Sequence, residues 1–463
     1  MNYSLQDLKG KRVHFVGIGG YGMSGLARIM RTDGIEVSGS DMKDSKILTG
    51  LRALGAVAVQ GHRAENVEGA DFLVYTSAIH ADNPEMLKAQ QMGIPILSRA
   101  QALAILISGS VSVAVAGAHG KTTTTSMLTV AIQSCGEDPS FSIGGTVSAA
   151  GSNAHRGTGK YFVIEADESD GSFVEYRPFG AIITNIEHDH VQHFPTEELF
   201  FDAFRDFIAT IAPEGFLVYC ADDAGAALCG SETKHCRTIS YGVHPDADLR
   251  IDHIELNPTG STARALWHGR AIGTLEIHVP GHHNLLDAAA ALSAGLALGL
   301  PALELMNGLS TFRGAGRRFE FKGQVDGIRV IDDYGHHPTE ISVTLQAAKR
   351  YATDGRVLVL FQAHHYWRTK AFATEFAAAL DIADHAWVLE VYGPGETPLE
   401  GGMGTSITDL MKNGTFEPNF ITVVDAIAAE AKPGDVIMTV GAGGDVGSLG
   451  PVILESLAKR NEK

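Results

Sequence analysis

Three strings carry most of the chemistry available to this 463-residue chain. Gly117-Ala118-His119-Gly120-Lys121-Thr122 sets a lysine and a hydroxyl behind two glycines, and Thr123, Thr124 and Thr125 follow. Glycines let backbone N–H groups close around phosphate, a lysine bridges its charges, and a threonine hydroxyl can ligate magnesium. The string departs from the strict GxxxxGK[ST] pattern, because Val115 stands where the first glycine belongs. A helix start rich in capping threonines accounts for the hydroxyls but not for the Gly-Lys pair ahead of them.

Downstream, Glu165-Ala166-Asp167-Glu168-Ser169-Asp170 gathers carboxylates, and Thr184-Asn185-Ile186-Glu187-His188-Asp189-His190 again closes an apolar run with metal-capable side chains. Both fall where strands of a parallel sheet end, the edge at which such sheets bind ligands. Oxygen donors of this kind suit a magnesium nucleotide, while either string alone also reads as a solvated loop. A third group, Asp332-Asp333-Tyr334-Gly335-His336-His337-Pro338 with His364-His365-Tyr366-Trp367-Arg368, fits a small anionic substrate or a structural set bonded to carbonyls. Near the start, Gly17-Ile18-Gly19-Gly20-Tyr21-Gly22 matches GxGxxG, and Asp41 follows 24 positions after Gly17. That spacing fits a diphosphate at a helix N-terminus, or simply a tight strand–helix turn.

These strings need sheets to hold them. Runs of Val, Ile, Leu and Phe alternate with longer helical patterns and glycine turns, which predicts an α/β fold of βαβ units with parallel sheets. Strands are expected at 12–16, 35–40, 71–76 and 94–97, and helices at 23–30 and 84–92. After a linker at Ser108-Gly109-Ser110 the pattern restarts, with strands at 111–116, 161–165 and 180–185 around a helix at 123–134. After Phe312-Arg313-Gly314-Ala315-Gly316 it restarts again, with strands at 329–331, 357–361, 386–390 and 436–440 and a helix at 449–457. Three domains are predicted: 1–107 Rossmann-like, 108–314 around a P-loop-type nucleotide-binding sheet, and 315–463 Rossmann-like.

Composition narrows the function. The charge is −18, from 36 Lys plus Arg against 54 Asp plus Glu, which opposes binding to nucleic acid or an anionic membrane. Ala288 to Leu303, the longest apolar stretch, reads as one buried helix, too short to span a bilayer. Four cysteines without a CxxC pair read as reduced thiols, and Met1 to Gly10 lacks a secretory pattern, so a cytoplasmic protein is expected.

Taken in order, the segments resemble the Mur ligases, and among them those that add L-alanine to UDP-N-acetylmuramate. The strings that carry the resemblance are His14-Phe15-Val16-Gly17-Ile18-Gly19-Gly20 through Met23-Ser24-Gly25, Gly120 to Thr125, Glu165 to Asp170, Gly316-Arg317-Arg318-Phe319 and Asp332 to Thr339, and they span nearly the whole chain. The resemblance implies an ATP-dependent ligase of peptidoglycan synthesis. ATP would phosphorylate the lactyl carboxylate, and the alanine amine would attack the acyl phosphate and expel phosphate. Carried over by motif, Lys121, Glu165, His190 and Arg318 would be catalytic, with Thr122, Glu165 and His190 holding magnesium. ATP would meet Gly117, His119, Gly120, Lys121, Thr122, Thr123, His283, Asn284, Arg318 and Asp333. The UDP sugar would lie on Gly19, Gly20, Gly22, Met23, Ser24, Asp41, His62 and Ser77, and alanine among Tyr334, His336, His364, His365 and Arg368, the last as carboxylate clamp.

Three departures from the family pattern stand out. His365 replaces an arginine, which predicts weaker amino-acid binding that His365→Arg improves. Asp287 stands where HNxxN expects asparagine, leaving the nucleotide contact there open. Between Lys160 and Lys234 there is no lysine, so the carbamylated lysine of sibling ligases has no counterpart there and a second magnesium would rely on His190, phosphate and water. Three rivals stay open: a ligase that attaches an intact tripeptide to the same sugar, a nicotinamide dehydrogenase built on the first glycine loop, and a UDP-sugar sensor without turnover.

Overall fold

The computed structural model describes residues 3–147 and 152–460. Strands and helices alternate around three sheets, as the βα periodicity requires. The first sheet has five parallel strands in the order Val57–Gln60, Glu36–Asp41, Arg12–Val16, Phe72–Tyr75, Ile96–Ser98. Its central strand, buried from Val13 onward, runs into Gly17 at φ +82°, and Gly20 opens the helix Tyr21–Thr32. Gly17 therefore occupies the left-handed region that a residue with a Cβ rarely adopts.

The middle sheet has ten strands, and its parallel centre runs Arg237–Gly242, Phe216–Cys220, Gly180–Ile183, Val111–Ala116, Tyr161–Glu165, Ser140–Val147. Val113 to Ala116 and Phe162 to Ile164 have essentially no exposed surface, the continuous apolar burial expected of parallel strands covered on both faces. The third sheet runs Glu320–Val325, Ile328–Asp333, Val436–Val440, Val357–Phe361, His385–Val388, Gly414–Phe416, and only the first pair is antiparallel.

Residues 1–253, 263–275 and 286–312 make one compact unit, and 254–262, 276–285 and 313–463 make a second. Within the first, the glycine-loop helix is tied to the middle sheet. Asn153 Nδ2 donates to the Tyr21 carbonyl at 2.8 Å, Arg156 Nε reaches Asp33 Oδ1 at 2.7 Å, and a Cβ on Gly25 would lie 3.0 Å from that of Ala154.

The strands at 12–16, 111–116, 161–165, 357–361 and 436–440 have the expected limits. The apolar stretch 288–303 is not one helix. His282–Ala297 ends, Gly299 turns at φ +78°, and Pro301 caps a second helix, Ala302–Thr311. Proline fixes its own φ and pushes its predecessor out of helical geometry, so composition alone overestimated the run. The hairpin Ser140–Val147 with Ser152–His155 was not anticipated, nor were the strands between Leu249 and Ile277. In Leu249–Asn257 the apolar positions step from 249 and 251 to 254 and 256, because His253 sits at φ +49° and breaks the period of two. Among the described residues no helix is long and apolar enough to cross a membrane.

Candidate active site

Strand Val111–Ala116 delivers the phosphate-binding string to the C-terminal edge of the middle sheet, and the helix Lys121–Ser134 starts on it. Both glycines are required. Gly117 is at φ +136° with the place of a Cβ only 2.0 Å from Thr184 Oγ1, and Gly120 is at φ +83° with that place 2.5 Å from Asp287 Oδ1. The neighbouring strand end clamps the loop from below. Asn185 Oδ1 accepts from His119 N at 2.9 Å, Asn185 Nδ2 and Thr184 Oγ1 donate to the His119 carbonyl at 3.0 and 2.6 Å, and His119 Nε2 pairs with Glu187 Oε2 at 2.8 Å. Part of the second string therefore shapes the loop instead of facing a metal.

Lys121 lies under this loop. Its ammonium donates to the carbonyls of Gly117 and Ala118 at 2.7 and 3.1 Å and touches both oxygens of the buried Glu168 at 2.9 Å. Burial alone would depress its pKa, but Glu168 and Asp167 outweigh burial and hold it above the ordinary lysine value. Thr122 Oγ1 donates to Glu165 at 3.0 Å, Gly144 N donates to the same carboxylate at 2.6 Å, and His190 Nε2 stands 3.5 Å from Glu168 Oε1. The loop, Thr122, Glu165 and His190 are thus brought to one sheet edge, with Thr123 buried in the first turn of the helix.

On the first sheet, Asp41 holds the glycine loop, accepting from Gly19 N at 3.0 Å, with a Cβ on Gly19 only 2.8 Å from its Oδ2. Gly20 caps the helix, Gly22 and Ser24 lie in its first turn, and Ser24 Oγ donates to the Tyr21 carbonyl at 2.9 Å. Met23 is buried in the core. His62 Nδ1 bonds Ser40 Oγ at 2.8 Å, and Ser40 donates in turn to Glu85, a carboxylate with no exposed surface. Burial pushes the Glu85 carboxyl up, yet bonds from His14, Ser40 and Asn66 win and hold it at about 2. Ser77 follows strand Phe72–Tyr75 in an exposed turn.

In the second unit, strands Ile328–Asp333 and Val357–Phe361 deliver the remaining residues. The rings of Tyr334 and His336 lie 5.5 Å apart, His336 and His364 6.5 Å, and His364 and His365 3.9 Å, with Arg368 buried in the first turn of the following helix, Tyr366–Leu380. Burial, then His365, His336 and Arg368, push the His364 imidazole down to about 3, so it is neutral at working pH. His365 Nδ1 donates to Glu396 Oε1 at 2.5 Å, and Tyr366 N donates to that carboxylate's other oxygen. The paired arginines divide the work. Arg317 braces the strand ends through Asp332 at 2.9 Å and the Gly441 carbonyl at 2.7 Å, while Arg318 lies 5.0 Å over the Tyr334 ring beside Asp333. Asp333 accepts from Phe319 N and Gly335 N, and burial raises its carboxyl to about 6. His283 is driven down to about 4 by burial and by His282, and Asn284 Nδ2 is engaged on the Pro280 carbonyl at 2.7 Å. His337, adjacent to His336 in sequence, is the N-cap of helix Pro338–Ala352.

Glu396 was given no role from sequence, and Glu168, Thr184 and Asn185 were read only as members of metal-capable strings, not as the partner of Lys121 and the clamp of the loop.

A phosphate loop faced by carboxylates on the middle of three α/β sheets defines an ATP-using ligase architecture. The chain belongs to the Mur ligase family: the model described as Mur ligase family, catalytic domain matches residues 12–110, the Mur ligase middle domain 115–295, and the Mur ligase, glutamate ligase domain 317–443. It is 47% identical to the UDP-N-acetylmuramate–L-alanine ligase of Acidothermus cellulolyticus over 97% of this chain and 95% of that one. The solved UDP-N-acetylmuramate–alanine ligase of Thermotoga maritima superimposes with a TM-score of 0.80 at 29% identity, covering 98% of this chain and 99% of the other. A murein peptide ligase from Psychrobacter arcticus aligns at 0.72 and 25% identity, over 97% and 99%.

Proposed function

We propose that this chain joins L-alanine to the lactyl carboxylate of UDP-N-acetylmuramate at the expense of ATP, giving UDP-N-acetylmuramoyl-L-alanine, ADP and phosphate in peptidoglycan synthesis. The observation that carries this reading is the 47% identity with an L-alanine ligase across nearly the full length of both chains. The chemistry available at each site supports it. Lys121 and the N–H groups of the loop suit the β- and γ-phosphates, and Thr122 with Glu165 offers hard oxygen donors for magnesium, with His190 beside Glu168 for a second ion. Magnesium bound there would neutralise phosphate charge as the carboxylate approaches.

Arg318 and Asp333 suit the nucleotide, and His283 and Asn284 are assigned to its base. Arg368 suits the amino-acid carboxylate, and the neutral His364 supplies a lone pair or an N–H to orient the amine without adding charge. The glycine loop with Asp41, His62 and Ser77 is assigned to the UDP sugar. The linker Ser108-Gly109-Ser110 and the glycine-rich Phe312 to Gly316 support domain limits at 107/108 and 314/315, and cytosolic substrates support a bacterial cytoplasmic enzyme. Phosphate release from Mg-ATP with UDP-N-acetylmuramate, compared without acceptor, with L-alanine and with the L-alanyl-γ-D-glutamyl-diaminopimelate tripeptide, tests the reading. Release driven by alanine with a one-alanine gain in mass is expected, and release driven only by the tripeptide moves the assignment to the peptide ligases.

A further inference from the structure

Arg99 stands where the first and middle sheets meet. It opens the helix Arg99–Ile107, immediately after the parallel strand Ile96–Ser98, and Ser98 caps that helix. Its shank lies over the glycine loop, with Cδ and Nη1 at 3.4 and 3.5 Å from the place of a Cβ on Gly22. The groups acting on its charge are Tyr176, Asp167, Asp170 and Glu165, all beyond strand Tyr161–Glu165 or at its end. Among the described residues none of those carboxylates closes to ion-pair distance of Arg99, in contrast to Lys121, which is engaged with Glu168. A half-buried guanidinium that meets the buried Tyr176 hydroxyl but no carboxylate, set between two ligand-binding strand edges, is arranged to receive an anion.

We propose that Arg99 grips the carboxylate of the sugar substrate and presents it to the γ-phosphate held at the middle sheet. The inference deepens the function proposed above and rests on it. A nucleotide sugar anchored by its diphosphate on Gly19 to Ser24 has one other anionic group, the lactyl carboxylate, and that group must reach the carboxylate-lined edge where ATP is bound. Arg99 lies between the two. The bond from Asn153 to the Tyr21 carbonyl and the Arg156–Asp33 pair fix the loop against the middle sheet, so the guanidinium keeps its place between them. In the reaction one carboxylate oxygen bonds to the γ-phosphorus as the β,γ-bridging P–O bond breaks, its electron pair leaving on ADP. Arg99 holds the other oxygen, steadies the acyl phosphate, and leaves the carbonyl carbon open to the amine.

The test compares binding of UDP-N-acetylmuramate with UDP-N-acetylglucosamine, which has the same diphosphate and sugar but no lactyl carboxylate. Arg99→Met should weaken the first by about 10- to 100-fold and the second by less than about threefold, as expected for loss of a charge-assisted bidentate contact. Arg99→Lys should fall between wild type and Arg99→Met for UDP-N-acetylmuramate, and it keeps the test informative if Arg99→Met unfolds. Equal losses for both sugars would make Arg99 a diphosphate or structural residue and overturn the proposal, as would no loss for either. Product formation by the wild-type chain tests the parent reading separately: if no alanylated sugar forms, that reading falls and the role of Arg99 falls with it.

Discussion

At the scale of the residue, several sites turn on single charges. Asp287 occupies the asparagine position of the family pattern and sets a carboxylate beneath Gly120, where it accepts from Thr124 Oγ1 at 3.0 Å. An anion under a phosphate loop opposes the incoming nucleotide, and an amide keeps the acceptor without the charge. Asp287→Asn should therefore lower KM for ATP by a few-fold, roughly what one partly screened charge at this range gives; an unchanged or higher KM refutes this. His365 meets Glu396, so an arginine placed there would be neutralised by that carboxylate before it met a substrate. The gain in alanine affinity expected from sequence is accordingly revised: His365→Arg should leave KM for alanine within about threefold, since a charge already paired with Glu396 has little left to offer a substrate. Asp333 gives a pH signature. Its folded pKa of about 6 exceeds the ordinary carboxyl value of 3.8, so between these values the folded chain holds a proton that the unfolded chain has lost. That contribution to stability is present on the acid side and is lost as pH rises toward 6. Asp333→Asn should flatten this part of the melting-temperature profile, and an unaltered slope would refute the assignment.

At the scale of the element, what was legible was whatever has a strict period or a strict local rule. Val357–Phe361 is an unbroken apolar run and Val111–Ala116 is interrupted only by the buried Ser112; both were read to the residue, as was the helix Pro84–Met92, which begins after a capping asparagine and ends at Gly93. The strand Leu249–Asn257 was hidden by one positive φ, and the hairpin strand Ser140–Val147 by glycines and serines whose pairing is set by tertiary partners. The site followed the same division. Lysine, threonine and glutamate in fixed strings were visible, whereas Glu396 and the loop-clamping roles of Thr184 and Asn185 depend on which segments lie side by side. Packing between helices depends on features that no motif names. Gly308, in helix Ala302–Thr311, leaves room for only a hydrogen, since a Cβ would lie 2.6 Å from Ser134 Oγ and 2.8 Å from Ala131 Cα. Gly308→Ala should cost about 1–3 kcal/mol by overpacking the contact with helix Lys121–Ser134, read as a lower unfolding temperature; a neutral or stabilising effect would show that the two helices can part.

At the scale of the molecule, the sequence divides the chain into three α/β segments and the structure confirms three sheets, but the first two belong to one compact unit. Beside the close approach of Gly25 to Ala154, polar ties join them, among them Asn153 on Tyr21, Arg156 on Asp33 and Arg28 on Ser152. No pattern in the sequence marks these residues, because each pairs with a position more than a hundred residues away. Asp33→Ala combined with Asn153→Ala should leave both sheets folded yet let helix Tyr21–Thr32 exchange its amide hydrogens faster. KM for the UDP sugar should rise while KM for alanine stays fixed, and parallel changes in both constants would contradict the tie.

The contact between Lys121 and Glu168 sets a threshold for entry to the phosphate loop. An arriving anion must displace a buried carboxylate that already shares the ammonium, along with two loop carbonyls. A chloride or acetate ion brings one charge and one or two acceptor atoms, too little to dislodge three. A polyphosphate brings several charges and enough oxygens to engage the lysine and the N–H groups of the loop together. The same contact that keeps the lysine compensated therefore acts as a filter on valence, and displacement frees Glu168 at the moment the polyphosphate arrives.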